Sequence, residues 1–178
     1  MIKNVYLGHG GYGQPIYLRR DGTVSEQAEE ERQRPSWDET FMAVAEVMAR
    51  RSTCDRAQVG AVAVLGQRLI AEGYNGALAG MPHCDEVGHD MLDGHCVRAV
   101  HAEQNLVTQN VDLSGATVYT THSACWPCFR LLVAAGVDEI VYRVPYRQDE
   151  DTTRIAAVVN ASVKRGFRII QLRRYKGR

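Results

Sequence analysis

"ATVYTTHSACWPCFRLLVAAGVDEIVYR", residues 116–143, runs strand, helix, strand. "ATVYTT" (116–121) and "DEIVYR" (138–143) are short runs rich in β-branched and aromatic residues, and 126–135 between them reads as a helix. Strands alternating with helices imply parallel pairing through right-handed crossovers. A helix over 152–165 and the strand "FRIIQL" (167–172) repeat the move. Upstream, "VGAVAVL" (59–65) and "RLIAEGY" (68–74) are two strands joined at Gly66-Gln67 as a hairpin. A hairpin leading into βαβαβ gives a five-stranded mixed sheet with helices on both faces. The expected fold class is α/β, a three-layer α/β/α sandwich.

A helix opens this domain. In "PSWDETFMAVAEVMARRS", Ser36 and Glu39 make a capping box, and Trp37, Phe41, Val44, Ala45 and Met48 keep helical spacing. Residues 76–97 are polar and rich in Gly, His and Asp, with no clear period, and a helix is expected over 99–109. Residues 1–35 read as an N-terminal appendage, hairpin or flexible, and 36–178 as the catalytic domain. "GHGGYG" (8–13) satisfies G-x-G-x-x-G, but "QPIYLRRDGTV" follows instead of a helix. A nucleotide-binding fingerprint needs that helix, so an Asp21-Gly22 turn between short strands is the better reading.

The 178 residues fit one domain of ordinary size, and 45% apolar content suffices for a core without disulfides. Lys and Arg number 21, matched by 21 Asp and Glu, which argues against a general nucleic-acid binder. Charge is uneven locally: "KRGFRIIQLRRYKGR" (164–178) is basic and "EQAEEERQR" (26–34) is acid-rich. Both read as solvated surface. No long apolar run or signal-peptide core is visible, so no membrane partner and a cytoplasmic location are expected. Five cysteines, an odd number, suit reduced thiols or metal ligands.

Cys125 and Cys128 flank the start of the 126–135 helix, and His101 lies near the start of another. A helix N-terminus favours thiolate, the form that binds metal. Two thiolates and one imidazole suit Zn²⁺, and three protein ligands are the catalytic arrangement rather than the closed structural one. Glu103, two residues after His101, sits about 200° around a regular helix, so it is not read as a fourth ligand. Its expected role is catalytic: to take a proton from water and deliver it to a substrate nitrogen.

H-x-E followed by C-x-x-C is the signature of zinc nucleobase deaminases. Beyond it, the chain resembles deoxycytidylate (dCMP) deaminases of bacterial and phage type, in the cytidine deaminase-like superfamily. The matching stretches are "WDETFMAVAEVMARRSTC", "QVGAV", "GYNG", "HCD", "HCVRAVHAEQN" and "YTTHSACWPC", within residues 36–172. The resemblance implies hydrolytic deamination of dCMP to dUMP and ammonia, with zinc on His101, Cys125 and Cys128 and proton transfer by Glu103. It implies that the Ala102 N–H meets the pyrimidine O2, Asn75 of "GYNG" the sugar hydroxyl, and Tyr146 the base, with Ser123 beside the leaving ammonia. Arg51 is a further substrate candidate, and Arg50, Arg56 and Arg147 join it as possible phosphate cations. The family pattern has proline just before the first cysteine; here that residue is Ala124, and Pro127 stands between the cysteines.

Cys54, Cys84 and Cys96 remain, with His83, His89 and His95 nearby. The resemblance implies a second, structural Zn²⁺ on the three cysteines and one histidine, with His89 preferred. It also implies a homo-oligomer, a hexamer, with dCTP and dTTP as effectors. Two rival readings stand beside it. A tRNA adenosine deaminase shares the zinc motif and has some support in the basic C-terminus. A non-enzymatic zinc-stabilised binding module would not depend on Glu103 for its work.

Overall fold

The computed structural model describes residues 4–9, 15–19, 34–92, 95–146 and 167–172. The chain forms two compact units, Met1–Ser36 and Trp37–Arg178. In the first, β1 (Asn4–His9) pairs antiparallel with β2 (Pro15–Arg19). A strand, not a helix, thus follows the glycine-rich stretch, which removes the nucleotide fingerprint. The turn expected at Asp21-Gly22 lies outside the described residues, as does the acid-rich stretch up to residue 33.

The second unit begins with α1 (Trp37–Ala49). Strands β3 (Gly60–Leu65) and β4 (Arg68–Tyr74) follow as an antiparallel hairpin. Its turn residues Gly66 and Gln67 have φ of 54° and 64°. Positive φ at both central positions is what a two-residue hairpin matching the strand twist demands. After an irregular stretch that holds the short helix α2 (Cys84–Val87) come α3 (Ala102–Val107), β9 (Thr117–His122), α4 (Trp126–Ala134), β10 (Glu139–Val144) and β11 (Arg168–Gln171). The helix expected over 152–165 lies outside the described residues.

The five-stranded sheet has the order β11-β10-β9-β3-β4. β9, β10 and β11 are parallel, while β3 is antiparallel to β4 and β9. It is the mixed sheet that the sequence leads one to expect. Period-two alternation divides its side chains between two cores. On one face, Val62, Val64, Tyr119 and Val141 pack against Phe41, Met42 and Ala45 of α1. On the other, Ala61, Ala63, Val118 and Ile140 pack against Ala102 and Leu106 of α3 and Phe129 and Leu132 of α4. Helices therefore cover both faces.

Close backbone contact fixes α3 on the sheet. A Cβ added at Gly73 of β4 would lie 2.3 Å from the Ala102 carbonyl oxygen. Only glycine lets the helix that carries the H-x-E motif come so near. Among the described residues, no helix is long and apolar enough to cross a membrane.

Residues 76–100 hold small pieces whose two- and four-residue lengths leave no period in the sequence. β5 (Gly76–Ala77) pairs with β8 (Ala99–Val100), α2 spans Cys84–Val87, and β6 (Met91–Leu92) pairs with β7 (His95–Cys96). Ala99 and Val100 are thus strand, where the helix was expected to have begun. Pairing with β5 keeps the chain extended until His101, and α3 starts one residue later.

Candidate active site

His101 is the N-cap of α3, with φ −74° and ψ 155°. One side-chain and one backbone bond lock it: its N–H donates to Gln104 Oε1 at 2.9 Å, and its carbonyl accepts the Asn105 N–H at 3.0 Å. Asn105 Nδ2 in turn donates to the Tyr74 carbonyl at 2.8 Å, tying α3 to the end of β4. Cys125 is the N-cap of α4, with extended φ −66° and ψ 164°. Pro127 occupies the first turn of that helix, where no intrahelical bond requires an N–H. Ala124, in the position where proline was expected, packs against the core on the α3–α4 face.

These two helix starts meet. His101 Nδ1 lies 3.4 Å from Cys125 Sγ and 3.3 Å from Cys128 Sγ. The hydrogen bond with Cys128 holds the Cys125 thiol down at about 4, against burial, and the His101 contact acts the same way. The contact with Cys125 also raises His101. A shared proton and a thiolate are what two sulfurs and an imidazole make when drawn together. One nitrogen and two sulfurs are a donor set that fits Zn²⁺, and three donors suit a catalytic site.

Glu103 is 4% exposed and lines the same cavity as His101 and Cys125. Burial raises its carboxyl above the ordinary range. His101 precedes the helix, so the angular separation of two residues on a regular helix does not apply between them. Both side chains reach one cavity of about 120 Å³.

Asn75, Ala102, Ser123 and Tyr146 also line it. Asn75 braces the loop before β3: Oδ1 accepts the Val59 N–H at 2.8 Å and Nδ2 donates to the Ala57 carbonyl at 2.7 Å. Ser123 joins two strand ends, its N–H donating to the Val144 carbonyl at 2.8 Å and its Oγ accepting the Tyr146 N–H at 2.7 Å. Arg51 is not brought to the cavity. It stands in the turn after α1 with its guanidinium 5.9 Å from the Tyr74 ring centroid, a cation–π arrangement. Arg56 lines the cavity instead. Arg147 lies outside the described residues. His122, which sequence reading passed over, is also in the lining.

A second cluster gathers Cys54, Cys84, His89 and Cys96, their ligand atoms all within 4.8 Å of one another. Cys54 Sγ is 3.9 Å from His89 Nδ1, and Cys84 Sγ is 3.7 Å from Cys96 Sγ. His89 Nε2 lies 2.8 Å from Asp55 Oδ1, which turns Nδ1 toward the sulfurs. A carboxylate behind an imidazole is the usual support for a metal-ligating histidine. Four donors of this kind fit a closed structural Zn²⁺ site. Cys54 and Cys96 also line the cavity, so the two clusters share a wall.

The family model described as the cytidine and deoxycytidylate deaminase zinc-binding region matches residues 35–144. The chain belongs to this deaminase family. Zinc is the family's metal, and the two donor clusters match it. Among relatives, ComE operon protein 2 of Bacillus subtilis is 42% identical over 119 residues, covering 65% of this chain and 63% of that protein. The deoxycytidylate deaminase of Mycobacterium phage D29 is 42% identical over 123 residues, 61% of this chain and 95% of the phage protein. The chain spans only 45% of the Saccharomyces cerevisiae deoxycytidylate deaminase, which is 35% identical over 142 residues. A solved dCMP deaminase of cyanophage S-TIM5, in complex with dCMP and dUMP, has a TM-score of 0.63 and 26% identity. That match covers 79% of this chain and 99% of the phage chain.

Proposed function

We propose that this protein hydrolyses dCMP to dUMP and ammonia, serving pyrimidine deoxynucleotide supply in the cytoplasm. The observation that carries the proposal is a buried acid, Glu103, set in one cavity with His101 and Cys125 of a Cys₂His donor set. The deoxycytidylate deaminases among its relatives support the same substrate. In this reading His101, Cys125 and Cys128 hold the catalytic zinc, and Cys54, Cys84, His89 and Cys96 a structural one. When bound, the catalytic zinc supplies a Lewis acid that lowers the pKa of water.

The residues of the chain do the rest. Glu103 takes a proton from water as the C4–O bond forms and passes it to the ring nitrogen N3. It then takes the remaining proton from the new C4 hydroxyl and passes it to the departing amine. The C4–N bond breaks and ammonia leaves. A carboxyl raised by burial both accepts and releases protons more readily near neutral pH than an ordinary one. Ala102, the first residue of α3, directs its N–H at the pyrimidine O2, since N–H groups of a first turn lie outside the helical ladder. Asn75 meets the sugar hydroxyl while bracing its loop, Ser123 and Tyr146 close the base side, and Arg56, which lines the cavity, is the phosphate cation.

The enzyme acts as a homo-oligomer, a hexamer, whose rate responds to dCTP and dTTP. The test is ammonia release from dCMP by zinc-loaded protein, with and without each triphosphate. Stoichiometric conversion to dUMP is expected. A zinc-loaded protein that releases no ammonia from dCMP overturns the reading.

A further inference from the structure

His122 ends β9, and nothing in the proposed reaction uses it. It lines the cavity with Glu103, Arg56 and Tyr146. Its Nδ1 lies 3.2 Å from the hydroxyl oxygen of Thr121. That threonine is 6% exposed, and its Oγ1 already accepts the Gly60 N–H at 3.2 Å. A hydroxyl has a single hydrogen, and when buried it is given to an acceptor. The acceptor at hand is His122 Nδ1. The threonine therefore donates, Nδ1 accepts, and the ring proton of the neutral imidazole sits on Nε2. Burial lowers the basicity of the ring and so favours that neutral form.

The relay Gly60 N–H, Thr121 Oγ1–H, His122 Nδ1 makes the histidine a fixed donor. It cannot turn an acceptor toward the cavity without stranding the threonine hydrogen. Among the described lining residues, Arg56 is the one Lys or Arg side chain. A phosphate carries several acceptor oxygens and needs more than one donor. A donor-only Nε2–H suits such a group, and the other acid-base work of the cavity already belongs to Glu103.

We propose that His122 is a specificity-determining residue that donates its Nε2–H to the 5′-phosphate of the substrate nucleotide. The proposal rests on the dCMP reading above. Its test compares kcat and KM for dCMP and deoxycytidine in the wild type, His122→Phe and His122→Gln. A hydrogen bond to a charged group is worth roughly a 10- to 100-fold change in affinity. The phenylalanine variant should raise KM for dCMP by about that factor. Its kcat, and its kinetics with deoxycytidine, should stay near wild type. Glutamine, which keeps a donor near the Nε2 position, should restore most of the dCMP affinity. Equal losses on nucleotide and nucleoside, or no loss on dCMP, overturn the proposal.

Nitrogen-15 NMR of histidine-labelled protein gives a readout free of turnover, with the His122 signals identified by their loss in the glutamine variant. The proton should be on Nε2; a proton on Nδ1 overturns the proposal whatever the kinetics. If the wild type deaminates neither compound, the dCMP reading falls and the phosphate assignment falls with it. A normal wild type with an indifferent His122→Phe leaves the reading standing and removes only this inference.

Discussion

Glu103 lies two positions after His101, a spacing that would send the two side chains to opposite sides of an unbroken helix. The break at the N-cap resolves this, because His101 is extended and only Glu103 belongs to α3. The carboxyl is thereby buried in the cavity without joining the ring of donor atoms formed by His101, Cys125 and Cys128. Glu103→Gln keeps the shape and removes the titrating oxygen. It should retain zinc and fold while lowering kcat by about 10²–10⁴-fold, the usual worth of a positioned general acid-base. Metal analysis beside turnover checks this; simultaneous loss of zinc would make Glu103 a ligand. The four zinc-site and proton-transfer candidates were legible because residue type and spacing state their chemistry directly. His122 was not, since what marks it is a bond to its own neighbour. That neighbour is anchored in turn on Gly60, 61 positions away in the chain.

At the scale of elements, the long pieces were legible and the short ones were not. β3, β4, β9 and β10 are six or seven residues long, enough for an apolar run or an alternation to show. β5 and β8 are two residues each, and only their pairing through Gly76–Val100 and Ala77–Ala99 makes them strands. That pairing matters to the site, since it delays α3 and leaves His101 extended. The neighbouring insert is held by Cys84 and Cys96 on one side and His89 and Cys54 on the other. Burial and the Cys96 hydrogen bond push the Cys84 thiol up to about 12, so a metal must displace a firmly held proton there. Because Cys54 and Cys96 also wall the cavity, this cluster is not a remote staple. Cys84→Ser should remove one of about two zincs per chain, since a closed site tolerates no missing donor. KM for the substrate should rise more than kcat falls, as the wall loosens while His101, Cys125, Cys128 and Glu103 stay in place. Metal content and steady-state kinetics on one preparation test it. An unchanged KM after loss of that zinc would separate the insert from substrate binding.

For the molecule as a whole, the balance of 21 basic and 21 acidic residues favours the proposed free nucleotide over a polymer as substrate. A 5′-phosphate needs a few fixed donors, and the cavity wall supplies Arg56 and His122. A tRNA would need a continuous positive track along many phosphates. Three of the described arginines are instead paired with acids: Arg143 with Glu46 at 3.1 Å, Arg168 with Glu139 at 2.6 Å, and Arg98 with Asp90. Paired charges of this sort add little to a long-range field. Salt dependence is the measurement that tells the two substrates apart. Six to ten phosphate contacts on a nucleic acid would cost about 10³–10⁵ in affinity between roughly 50 and 200 mM salt. A single phosphate held by two donors, one of them uncharged, should lose no more than about tenfold, because few counterions are released. The expected result is a kcat/KM for dCMP that declines gently over that range, with no detectable deamination of a tRNA anticodon stem at either end. A steep decline, together with turnover of the stem at low salt, would assign the cavity to a nucleic-acid base and leave dCMP an incidental substrate.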